Sequence, residues 1–100
     1  MVNDPHAPLR QRTLDSVLDG PAETDAAVRR AVAVAGSGVP ADLESLVAKI
    51  HAHAWRVTDA DVAAAQARYG DDRLFEIVVS AALGASNERL AAGLKALDEA

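Results

Sequence analysis

Glu76 is the side chain with the most chemistry to offer. It lies in DRLFEIVVSAALGASNERLAAGLKAL, residues 72–97, where the run from Leu74 to Leu83 is interrupted only by Glu76 and Ser80. A carboxylate one turn inside so apolar a helix must be paired, protonated or turned to water. Beside His53 or Arg56 it would form an acid/base pair with a raised pKa of the kind catalysis uses. The plainer alternative is an ion pair with Arg73 at i−3, or with Arg56 across a helix interface. His53 is the matching candidate for a general base, because imidazole titrates near neutral pH. His51 and His53 together suggest a metal, but i and i+2 on a regular helix point about 160° apart. Zinc on a helix takes histidines at i and i+4, so no metal ligand is assigned and both rings are expected to hydrogen-bond a neighbour.

The remaining reactive types exclude more than they suggest. Ser80 lacks the Gly-x-Ser-x-Gly setting of a nucleophilic serine. Gly36-Ser37-Gly38 has neither the preceding strand nor the following Lys-Ser/Thr of a phosphate loop, and no cofactor is implied. The chain contains no cysteine, which removes disulfides, thiolate metal sites and every thiol-based mechanism.

These side chains need helices to place them. At about 100° per residue, Arg73, Glu76, Ser80, Gly84 and Asn87 fall in one strip about 80° wide, so the last helix carries a single polar seam on an otherwise apolar rod. Such a rod is expected to be central and wrapped by its neighbours. Residues 1–7 read as a loose leader. Pro8 can open a first helix, with Leu9, Leu14, Val17 and Leu18 inward, stopped by Gly20-Pro21. Thr24 or Asp25 can cap a second helix over residues 26–35. A third begins at Pro40, with Leu43, Leu46, Val47, Ile50, Ala54 and Val57 at i, i+3, i+4, i+7, i+11 and i+14. Thr58 with Asp61 forms a variant capping box for a short fourth helix over 59–68 that Gly70 ends. Gly84 is expected to permit close packing inside the fifth. No stretch alternates over a strand length, so the fold class is all-α.

One hundred residues make one domain, and a chain this short with one each of Trp, Tyr, Phe and Met buries little area per residue. Oligomerisation is expected to supply some of the missing burial, with Trp55 either covered by the first two helices or placed at a subunit contact. The net charge of −5, with both signs interspersed, argues against nucleic acid as a partner. No run of 18 apolar residues and no signal-peptide pattern appears, which makes a cytoplasmic protein without membrane contact the default.

Residues 56–97, RVTDADVAAAQARYGDDRLFEIVVSAALGASNERLAAGLKAL, resemble the C-terminal part of the carboxymuconolactone decarboxylase and AhpD-like alkylhydroperoxidase superfamily. The shared features are a Thr-Asp start, a short helix ending in Gly, an acidic cap and a long apolar helix. That helix closes on a run matched by Asn87, Arg89, Leu90, Ala91, Gly93 and Leu94. The resemblance implies an AhpD-like domain over residues 8–100, of about five helices with a long buried C-terminal one, that forms symmetric assemblies. Redox-active members carry Cys-x-x-Cys and a nearby His in the region corresponding to residues 47–58; here His51 and Ala54 stand at the two cysteine positions. The leading expectation is an oligomeric binding or accessory protein without thiol peroxidase activity. It would take a protein partner or a small organic ligand. The alternatives are an enzyme of the decarboxylase or lactone type using His53 and Glu76 as proton-transfer groups, and a metal or cofactor binder with histidines converging around a symmetry axis.

Overall fold

The computed structural model describes residues 7–99, all in helices, turns and connecting loops, with no strand among them. Four α-helices, α1 Ala7–Asp19, α2 Ala26–Val34, α3 Glu44–His53 and α4 Asp59–Glu99, follow one another in the chain. The expected leader falls on residues 1–6, outside the described ones, and Ala7 already belongs to α1.

Local chemistry accounts for most helix ends. Asp25 caps α2 by accepting from the Ala27 N–H at 3.2 Å. The left-handed residue that closes α2 is Ala35 (φ 51°, ψ 40°) rather than either glycine that follows it, a position that strains an L side chain slightly. The capping box before α4 forms in both directions. Asp61 N–H donates to Thr58 Oγ1 at 3.1 Å, and Thr58 N–H donates to Asp61 Oδ2 at 3.0 Å.

Two expectations need correction. The third helix was expected to run through Val57, but α3 stops at His53, whose backbone turns away at φ −150° and ψ 75°. A 3-10 turn, Ala54–Arg56, replaces its last part. Leu43, Leu46, Val47 and Ile50 are buried as their spacing requires, while Ala54 is exposed. The expected fourth and fifth helices are two arms, residues 59–69 and 71–99, of the single span α4. They are bent at Gly70, whose φ of 79° and ψ of 172° lie outside helical geometry. A glycine takes that conformation at little steric cost. By span the helices number four, with the break at Gly70 marking where the expected fourth ends and the fifth begins.

The second arm of α4 is the axis of the molecule. Leu74, Ile77, Ala81 and Ala85 on it are buried. Leu74, Ile77 and Ala81 join one cluster with Val32 of α2, Leu46, Val47 and Ile50 of α3, and Ala65 of the first arm. Gly84 is where α2 comes closest, since a Cβ built there would overlap the Ala33 carbonyl oxygen. The first arm is fastened to α3 and the turn before it. Lys49 Nζ meets Asp61 Oδ2 at 2.8 Å, Tyr69 donates to Asp42 at 2.6 Å, and Arg68 pairs with Asp42.

The corner between α1 and α2 is built on arginines. Arg29, buried, donates to the carbonyls of Val17, Gly20 and Thr24 at 2.7, 2.7 and 3.1 Å. Arg30 pairs with Asp15 and Asp19, and its hydrogen bonds hold both carboxyls below their ordinary range. Beyond Ala85 the second arm leaves the core, and from Glu88 onward only Leu94 is partly covered. The dimensions, 46 × 30 × 21 Å with a radius of gyration of 14.5 Å, reflect that projecting end; a compact chain of this length would have about 13 Å. No helix among the described residues is long and apolar enough to cross a membrane.

Candidate functional site

The polar seam of α4 faces α1, α2 and the loop between them. At its N-terminal end the Arg73 carbonyl accepts from Thr24 Oγ1 at 3.4 Å. One turn on, Glu76 takes the Thr24 N–H on Oε1 at 2.7 Å and the Glu23 N–H on Oε2 at 3.0 Å. Those two N–H groups belong to the loop just ahead of α2, where backbone donors have no helical acceptor, and a carboxylate 53 and 52 residues downstream supplies one. Such charge-assisted bonds are the stronger kind.

The same loop, with Arg29 behind it, decides the ionisation of Glu76. The Thr24 side chain is the foremost cause that holds its carboxyl below the ordinary value of 4.5. The Glu23 and Thr24 N–H groups and the charge of Arg29 act in the same direction, and together they outweigh the opposing effect of burial. Glu76 is therefore a partly covered, ionised acceptor, whereas a general acid needs a raised pKa.

His53 stands elsewhere. It is exposed at the end of α3, with its ring centroid 4.8 Å from that of Trp55 and the planes tilted by 56°. Among the described residues no hydrogen bond joins His53 to Glu76, and neither Arg73 nor Arg56 forms an ion pair with that carboxylate. The fold gives the two candidate residues separate neighbours. Trp55 is 78% exposed, so α1 and α2 do not cover it.

His51 is used as a bolt. Its Nε2 lies 2.8 Å from the Val32 carbonyl, and its Nδ1 lies 3.3 Å from Glu88 Oε2. The His51 carbonyl accepts from Arg89 at 2.8 Å. One residue thus ties the end of α3 to α2 and to the middle of the second arm. With Nε2–H given to a carbonyl, the Glu88 contact becomes a hydrogen bond only when the ring carries its second proton. His51 is held by Val32 and Glu88 while the His53 ring lies against Trp55, and no group of three or more His, Cys, Asp or Glu among the described residues is placed to hold a metal ion.

Further along the seam, Ser80 is wholly buried and its hydroxyl has no hydrogen-bond partner in the described structure. It borders a cavity of about 250 Å³ shared with Arg29, Glu76, Phe75 and Val17. Asn87, at the seam's far end, borders a second cavity of about 320 Å³ whose walls are the α1 side chains Leu9 and Leu14 and the α4 side chains Leu83 and Leu90. Arg89 fastens the middle of the second arm to the His51 carbonyl, and Asn87 lies partly covered beside α1. Sequence reasoning missed Thr24 and Arg29 as partners of the seam. The loop position of Thr24 was legible, but nothing local connects it to a carboxylate so far away. Comparisons with protein-family models, with curated proteins and with solved structures return no match for this chain.

Proposed function

We propose that this chain is an oligomeric binding or assembly subunit on an AhpD-like helical scaffold, without thiol peroxidase activity. Two features support the loss of redox chemistry. The chain has no thiol, and thiol peroxidase chemistry needs a thiolate nucleophile. The motif of residues 56–97 supports the scaffold. The carboxylate that would serve proton transfer is spent on holding the 23–24 loop.

One observation carries the binding role: large apolar side chains stand uncovered on the outside of an ordered helical body. Trp55, Phe75 and Leu97 are 78%, 70% and 69% exposed. Phe75 and Leu97 share one side of α4 with the exposed Leu90, a contiguous exposed apolar face marks an interaction site, and aromatic residues are prominent in the energetics of contacts. Sedimentation velocity across the micromolar range tests the reading; association that strengthens with concentration is the expected result. A monomer throughout, with measurable peroxide or lactone turnover by the pure chain, would replace it with the enzymatic reading. That reading would require Glu76 to release the loop and turn towards His53.

A further inference from the structure

Resting on the assembly reading, we infer that two copies of this chain associate by laying the second arms of α4 against each other, antiparallel, with the two-fold axis passing at Ser86. The starting point is a strip on α4 distinct from the polar seam. Viewed down the helix at about 100° per residue, positions 75, 79, 82, 86, 90, 93 and 97 fall within about 80° of one another, and this strip is centred about 120° from the seam. None of its residues is charged. All are exposed except Val79, which is half-buried. From Phe75 to Leu97 the strip is about 33 Å long.

Its order of side chains is that of a surface made to meet itself. A two-fold axis at Ser86 sets Phe75 against Leu97 of the other copy, Val79 against Gly93, Ala82 against Leu90, and Ser86 against Ser86. In the two inner pairs a larger side chain faces a small one, which lets facing rows interdigitate. Small residues at the crossing let the backbones approach, and the large ones close the ends. An isologous contact requires this reciprocity, residue i on j and j on i. No charge on one strip meets a like charge on the other, which matters for a chain whose net charge is −5.

The area is also sufficient. A strip of that length on a helix about 10 Å across, extended by Leu9, Thr13 and Ser16 of α1, with Arg10 and Arg12 bordering the same surface, offers about 500 Å² per copy and about 1,000 Å² in a pair. That is the lower end for a specific interface, so the association is expected to be reversible and micromolar.

Because the chain has no cysteine of its own, single cysteines report the register without interference. Under mild oxidation Ser86→Cys is expected to cross-link with itself. Ala82→Cys and Leu90→Cys are each expected to stay uncross-linked alone and to join when mixed. Nitroxide labels on Leu97→Cys are expected about 33 Å apart along the axis. Leu97→Glu is expected to weaken association by about tenfold or more while leaving the folding of the dilute chain unchanged, because Leu97 is 69% exposed. Self-cross-linking of Leu90→Cys as fast as Ser86→Cys would mean a parallel pair and overturn the proposal. A dimer by sedimentation that Ser86→Cys does not cross-link and Leu97→Glu does not weaken would overturn it while leaving the assembly reading intact. A monomer at all concentrations would overturn both.

Discussion

Residues 71–85 and residues 86–99 belong to one unbroken helical arm, yet the protein treats them differently. The first stretch carries Ile77, Leu74 and Ala81 into the core and lends Glu76 to a loop far away in sequence. The second leaves Leu90 and Leu97 on the surface. Apolar character alone does not separate them: Phe75, in the buried stretch, is as bare as Leu97. The difference is supplied by α2 and α3, whose short lengths cover one side of the arm for a few turns and then end. Beyond their reach Leu90 and Leu97 stay exposed among the described residues.

Mutations can break that comparison or sharpen it. The largest effect is expected for Ile77→Ala, which empties a fully buried site between three helices. Denaturant titration should show a loss of about 4 kcal/mol, a large part of the stability of a domain this size. A loss under about 1 kcal/mol would mean that the first stretch is no better packed than the second. Gly84→Val follows, at about 3 kcal/mol, because its side chain must push α2 off the arm at the Ala33 carbonyl.

Glu76→Gln has a smaller effect with a pH signature. The folded chain holds this carboxyl below its ordinary value of 4.5, so the ionised form is favoured by folding. Its contribution is complete above that value and is lost as pH falls through the lowered one. The variant should be less stable than the parent at neutral pH, and the gap should close during acid titration. A gap independent of pH would show that the carboxylate charge is not what holds the loop. The smallest effect is expected for Leu97→Ala, within about 0.5 kcal/mol when the chain is dilute. At high concentration the same substitution should weaken self-association.

Much of the fold was legible before any coordinates. The spacing of Leu43, Leu46, Val47 and Ile50, the box of Thr58 and Asp61, the stop at Gly70 and the close approach at Gly84 each rest on interactions within a few residues or on a helical period. The ends of helices were less legible. Ala54 and Val57 keep the period of α3, but the chain turns at His53 to reach the start of α4, and periodicity carries no information about where a neighbour begins. At the candidate site the polar seam was legible as a strip, while the identity of its partners was not. Glu76 had several plausible counterions by spacing, Arg73 and Arg56 among them; the fold instead gave it two backbone N–H groups.

By itself the amino-acid order determined the helical class, the apolar rod with its polar line, the tight packing at Gly84 and the impossibility of thiol chemistry. These follow from residue types, their periods and the absence of one atom, sulfur in a thiol. Tertiary structure alone decided that Glu76 serves the 23–24 loop, that His53 rests beside an uncovered Trp55, and that the last turns of α4 project beyond the core. Each of those outcomes depends on which surfaces meet across tens of residues, and that is set by the lengths and crossing points of helices already formed.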